Sequence, residues 1–387
     1  MPDCDHQHPV TADGAAVFIA VELSKSSWLL AAQGMPSGKA SSHRLEAGDV
    51  GGLLALIACL RLREERTAGA PVPVVLGYEA GYDGFWLQRR LAAEGIACLV
   101  MGAASLQRST AGHARPRPTA STPPCCCARS PRGAAATTRP VAMVRVPTVE
   151  REDARRTHRE RQRLIAERVQ HVNRVKGLLS GQGVYDYQPL RRDRWARLDG
   201  ARTGDGRPLP ACLRLEIGRE LRRLELVLKQ LGAVEAERDA AVARPAAGDA
   251  DAAKVAQLAR LGGIGTELAT VLVREALFRA FANRREVASY AGLTPSPCAS
   301  GGMRREQGIS KAGNPLLRKS MVELAWLWLR YQPGSALSRW FAERAGTAAG
   351  RVRKIAAVAL ARKLLVALWR YVGTGLVPEG ARLKGAV

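Results

Sequence analysis

Ser300 stands immediately before Gly301 and Gly302 and is followed by Arg304, Arg305, Lys311, Arg318 and Lys319. A hydroxyl on a pliant glycine hinge beside concentrated positive charge is what attack on a phosphodiester requires. The oxygen supplies the nucleophile, and the cations stabilise the charge that builds on phosphorus. The same run also fits a Gly/Ser/Pro-rich surface turn leading into a basic helix. Two acids elsewhere suit a different part of phosphodiester chemistry. Glu22 lies near the end of the apolar run VFIAVEL, and Glu79 ends VVLGYE. Both runs have strand character. Carboxylates at neighbouring strand ends can share Mg²⁺ and activate water or a hydroxyl at phosphorus. Ribonuclease-H-like nucleases work in this way, with a larger set of acids; singly, each acid is equally a solvated strand end.

The elements that must position these residues follow from periodicity. VFIAVEL and SWLLAAQ read as paired strands, residues from about Val50 to Arg66 carry helical spacing, and PVPVVLGYEAG is a buried strand. The helix FWLQRRLAAEG and the strand IACLVM complete the order β-β-α-β-α-β, which indicates an α/β domain. The stretch from Gly102 to Pro147 has no acid and no usable period, and its composition reads as a disordered basic linker. From Val149 a long basic helix runs to about Leu179, with Ile165, Val169, Val172 and Leu179 on one face. A second helix carries Leu213, Ile217, Leu221, Leu224, Leu228 and Leu231, four and three apart, which is coiled-coil spacing. Two helices packed on each other or on a sister subunit account for this spacing. Beyond a loose linker, LARLGGIGTELATVLVREA reads as a helix-hairpin-helix, in which Gly263 and Gly265 flank Ile264. The amides of such a turn can hold a phosphate, and a purely structural turn fits the same residues.

The chain has 387 residues, enough for two or three domains, and a formal charge of +24. That charge implies a polyanionic partner, with nucleic acid ahead of an anionic membrane surface. The first residues lack a basic-then-apolar signal pattern, and no uninterrupted apolar run is long enough to span a bilayer. A cytoplasmic, nucleoid-associated location is therefore expected. None of the eight cysteines forms a CxxC pair, so neither zinc nor a disulfide framework is supported.

Taken together, AVELSKSSWLLA, GYEAGYDGFWLQRRL, LGGIGTELA and YAGLTPSPCASGG…GISKAGNPLLRK resemble the IS110/IS116/IS902-type family of bacterial insertion-sequence transposases. The likeness follows the family's order over most of the chain, and its C-terminal motif is the most specific part. It implies an α/β plus all-α architecture. A RuvC-like (ribonuclease-H-like) domain would occupy residues 1–148, a coiled-coil connector residues 149–245, and a helical transposase domain with a helix-hairpin-helix residues 253–387. It also implies four metal-binding acids, a serine nucleophile, Mg²⁺, a DNA substrate, a structured guide RNA, and assembly as homodimers or tetramers. On this correspondence Glu79 matches the family glutamate, Glu22 stands where the family usually has aspartate, and Ser300 is the best match for the nucleophile, with Ser296 the weaker candidate because the family's serine lies next to the glycines. Gly263, Gly265, Arg304, Arg305, Lys311 and Arg318 become nucleic-acid contacts. Two other functions compete: a non-catalytic nucleic-acid-binding protein, and a RuvC-like junction nuclease that needs metal but no serine.

The other two acids of the family belong after the strand ending in Val100-Met101, in a motif resembling AKTDRIDAAMLLRAL, and they are absent. Residues Ala114 to Ser130 read ARPRPTASTPPCCCARS instead. Codons allowed for these residues, read in a shifted frame, recover the motif. Pro118-Thr119 and Ser121-Thr122 each yield GAC for aspartate, at the family's spacing, and Cys125 to Cys127 yield leucines. The segment is thus read as a frame-shifted translation within 102–143, entered after Leu106 and left before Val144. The polypeptide as it stands is expected to bind nucleic acid yet to be inactive or strongly impaired in strand cleavage. Sequencing the gene checks the frame: the shifted codons should give two GAC or GAT triplets, and any other triplets there would sink the idea.

Overall fold

Alternating burial builds the first sheet. In β1 (Ala16–Leu23) the side chains of Val17, Ile19 and Val21 are buried, and in β2 (Ser27–Met35) those of Trp28, Leu30 and Ala32. A period of two sends alternate residues to one face. With β3 (Ala40–Glu46), β4 (Val74–Glu79) and β5 (Ala97–Met101) they form a five-stranded sheet in the order β3-β2-β1-β4-β5. The β1–β2 and β2–β3 pairs are antiparallel, whereas β1–β4 and β4–β5 are parallel. Helix α1 (Val50–Ala68) starts at Asp49, whose carboxylate accepts from the Gly52 amide at 2.7 Å, and ends at Gly69 in the left-handed region. Its Leu53, Ile57 and Leu60 join Leu87 and Leu91 of α2 (Trp86–Ala93) in covering the buried sheet face. The outcome is a mixed sheet with helices, consistent with a ribonuclease-H-like unit.

The computed structural model describes residues 15–35, 37–81, 84–102, 143–244, 249–300, 303–346 and 349–385. The chain divides into two units, Met1–Pro147 and Thr148–Val387. The stretch read as frame-shifted, Ala114 to Ser130, lies outside the described residues. Strand β3 is a correction to the sequence order β-β-α-β-α-β, which has only two strands before the helix. Its residues ASSHRLE are exposed or half-buried throughout. An edge strand of small and charged residues carries no apolar alternation to reveal it.

The second unit is mostly helical. The helix read as continuous from Val149 is two, α3 (Val149–Asp153) and α4 (Arg156–Ser180), broken at Ala154 and Arg155. Short α5 (Arg194–Asp199) precedes α6 (Ala211–Ala243), which packs antiparallel along α4. Val175 and Leu179, late in α4, meet Ile217, Leu221 and Leu224, early in α6. Leu164, early in α4, meets Val227, Leu231 and Val234. Val169 is 46% exposed, so it leaves the predicted buried face of α4.

After α7 (Ala250–Ala259), helix α8 (Thr266–Leu272) runs directly into a π-turn, Val273–Leu277, and α9 (Arg284–Tyr290) follows. A two-stranded hairpin, β6 (Pro295–Ser300) with β7 (Met303–Ile309), then precedes α10 (Pro315–Tyr331), α11 (Ala336–Ala345) and α12 (Gly350–Thr374). This hairpin interrupts a region that is otherwise helical, as expected. Leu272, Leu317, Met321, Trp328, Leu360 and Leu364, all fully buried, anchor one core. No described helix is long and apolar enough to cross a membrane.

Candidate active site

Strand register brings the two predicted acids together. Val21 of β1 pairs with Tyr78 of β4, so the next residue of each strand, Glu22 and Glu79, stands at the carboxyl end of adjacent parallel strands. Tyr78 and Val21 are buried in the core, whereas both glutamates are exposed. The other neighbours of this pair are Leu29 beside Glu22 and Met101 beside Glu79. In donor type the pair fits Mg²⁺, which is commonly held by one or two carboxylates with water and phosphate oxygens completing its octahedron. Among the described residues no group of three or more His, Cys, Asp or Glu is placed to hold a metal ion.

Ser300 is in the second unit, at the end of β6. It pairs with Met303 across the two glycines, Ala299 pairs with Arg304, and Cys298 with Arg305. Ser300 is therefore the last paired residue of a tight hairpin rather than part of an irregular turn. Pro295 and Pro297 are tolerated because each strand has a free edge, and the register shifts between them. Of the other predicted cations, Lys311 is exposed and adopts a positive φ of 54°. Arg318 holds this loop in place: its guanidinium donates to the carbonyl of Lys311 at 3.0 Å and to that of Ala291 at 3.4 Å. Lys319 donates to Gln162 of α4 at 3.2 Å.

Gly263 and Gly265 occupy the turn between α7 and α8. Gly263 has a φ of +85°, and a Cβ there would lie 3.0 Å from Cβ of Tyr331. Gly265 is exposed and forms the N-cap of α8. The carbonyl of Ile264 between them accepts from Lys384 Nζ at 2.7 Å. The turn is thus tight, and Gly263 lies close against Tyr331 of α10.

Sequence reasoning missed a buried acid that three side chains of this unit contact. Glu275 lies in the π-turn and is fully buried. His158 Nε2 is 2.6 Å from its Oε1, and Arg159 donates to both oxygens, at 2.8 and 3.0 Å. Asn314 Nδ2 donates to Oε2 at 2.6 Å. Beside it Arg155 donates to the carbonyl of Arg274 at 3.0 Å, and Arg274 returns a bond to the carbonyl of Ala154 at 2.9 Å. The break between α3 and α4 is thereby satisfied by the π-turn. Arg155 also stacks over Phe278, 4.4 Å from the ring centre. The one sequence signal was a lone Arg-Glu pair within the apolar run LATVLVREALF.

Residues 255–339 match the Transposase IS116/IS110/IS902 family. Over nearly its whole length the chain is similar to the putative transposase y4rJ of Sinorhizobium fredii, with 49% identity across 386 residues. That alignment takes in 97% of this chain and 96% of the relative. The chain belongs to this transposase family. A probable family 20 transposase of Pseudomonas aeruginosa is 31% identical over 229 residues, which are 58% of this chain and 65% of that protein. The matched family segment contains Ser300, Glu275, Asn314 and both turn glycines of the transposase, whereas Glu22, Glu79, His158 and Arg159 precede it.

Burial opposes ionisation of Glu275, but the bonds from His158, Arg159 and Asn314 outweigh it and bring the carboxyl from 4.5 down to about 2. A carboxyl depressed on folding contributes stability that is complete above its unfolded value and is lost as pH falls through its folded value. Glu275→Gln in the transposase should cost roughly 1.5–3 kcal/mol at neutral pH, the scale of hydrogen bonds to a charged group, because the Arg159 left behind is half exposed and regains water. Denaturant titrations should show the gap from the parent narrowing as pH falls from 4.5 towards about 2. A gap that is constant across that range would contradict the role of the charge.

Proposed function

We propose that this transposase cuts and rejoins DNA with Ser300 as nucleophile and Glu22 with Glu79 as the remaining part of an acidic half-site. Supporting this reading above all is the backbone of the β6–β7 hairpin, which ends in Ser300 and returns through Arg304 and Arg305. In the reaction the serine oxygen bonds to phosphorus while a strand P–O bond breaks. The departing DNA hydroxyl takes up the serine's proton, and a phosphoserine link to DNA remains. A second DNA hydroxyl then attacks this link, restores the serine and closes the new strand. The phosphodiester energy is conserved, so no nucleotide cofactor is consumed.

Arg304, Arg305, Lys311 and Arg318 neutralise phosphate charge in this scheme rather than read bases. Gly263 and Gly265, as a helix-hairpin-helix turn, offer backbone amides to the duplex backbone. Glu22 and Glu79 would hold Mg²⁺, which when bound supplies Lewis-acid stabilisation of charge at phosphorus. The antiparallel α4–α6 pair serves as a coiled-coil connector between copies in a dimer or tetramer, and a structured RNA guides target choice, as in the family it belongs to. With only two of four acids this chain is a decayed copy that retains nucleic-acid binding.

Repairing the frame between Leu106 and Val144 tests the reading. Recombination on a supercoiled substrate should rise at least about 100-fold, the scale at which a missing transition-state stabiliser is felt. Ser300→Ala in the repaired transposase should then abolish strand transfer but leave DNA affinity intact. Equal activity before and after repair contradicts the decayed-copy reading. Cleavage that survives Ser300→Ala favours a junction nuclease, and salt-dependent binding without cleavage in the repaired protein favours a non-catalytic binder.

A further inference from the structure

The chains entering and leaving the serine hairpin are closed into one base. The Ser310 amide donates to the Thr294 carbonyl at 2.8 Å, the Lys311 amide to that of Gly292 at 3.2 Å, and the Asn314 amide to that of Tyr290 at 2.9 Å. Gly313 permits this approach: a Cβ there would meet the Tyr290 carbonyl oxygen at 2.4 Å. Asn314 is the last residue of the base, and its side chain faces two ways. Its Oδ1 accepts the Leu316 and Leu317 amides at 3.0 and 3.1 Å and so caps α10. Its Nδ2 bonds to Glu275, which His158 and Arg159 of α4 hold from the other side.

The hairpin is a lever on this base. From Ile309 back to Met303 the strand is about 20 Å long at ~3.3 Å per residue. A tilt of about 3° at the base therefore moves the tip by about 1 Å, and misplacement of that size can cost about 100-fold in an aligned reaction.

We propose that Glu275 is a positioning residue for the Ser300 hairpin. It takes its orientation from the connector helix α4 through His158 and Arg159, and passes it to the hairpin base through Asn314. The inference rests on the reading of Ser300 as the nucleophile. Its consequence is that strand transfer follows the position of α4, which contacts the base through Glu275.

Asn314→Ser separates this role from plain capping, because serine caps a helix about as well as asparagine but is too short to bridge to Glu275. In the full chain, hydrogen exchange at the amides of β6 and β7 should quicken about 10-fold, while the Leu316 and Leu317 amides keep their protection. In the frame-repaired transposase the same change should lower the rate at saturating DNA about 10- to 100-fold and leave the half-saturating DNA concentration unchanged. An unaltered hairpin, or a hairpin and α10 that loosen together, would overturn the proposal. If Ser300→Ala still transfers strands, the nucleophile reading falls on its own, and the exchange arm alone decides whether Glu275 sets the hairpin base.

Discussion

A carboxylate taken out of water must be repaid by partners, or it protonates. Glu275 is fully buried and stays ionised because three side chains from two other elements converge on it. Much of the second unit depends on that convergence. The π-turn that carries Glu275 also frees the Arg274 carbonyl to receive Arg155, which settles where α3 stops and α4 begins. A residue farther along α4, Arg161, bonds to Glu235 of α6 at 2.7 Å and to Glu267 of α8 at 3.2 Å. Arg238 of α6 joins Glu267 as well. Helices α4, α6 and α8 are thus held by charge as well as by apolar packing. Π-turns within helices are frequent at functional sites, and here the extra residue turns an acid inward.

Where apolar spacing decides an element, the sequence was readable. Ile217, Leu221 and Leu224 are fully buried as their four-three spacing requires, and the strands bearing Glu22 and Glu79 pair so that the two acids adjoin. Where polar chemistry decides, it was not. Strand β3 is an edge of serine, histidine and arginine with no alternation to detect. The split between α3 and α4 leaves no glycine or proline behind, because a distant carbonyl and guanidinium satisfy its ends. Val169 sits at a helical spacing that suits a core position yet remains exposed, since α6 meets the neighbouring Leu164 and Ile165 instead. The strands around Ser300 were hidden by Pro295 and Pro297, residues that argue against a strand unless both edges are open.

The two halves of the proposed chemistry stand in different condition. The proposed serine half is folded as a hairpin, and Asn314 at its base bonds to a buried carboxylate. The acidic half consists of two exposed glutamates in register, with no third ligand among the described residues. A decayed transposase with this asymmetry would keep its fold, because the two acids are exposed and contribute almost nothing to the core. Its stability would then give no warning that its activity is lost.

The proposed reaction joins the hairpin serine covalently to DNA. Denaturing a reaction of the frame-repaired transposase with its DNA, digesting both components and mapping the modified peptide by mass spectrometry tests this directly. The expected product is a phosphodiester-linked nucleotide on Ser300. A link on Ser296 or on any residue outside the hairpin, or strand transfer with no covalent intermediate, would contradict it.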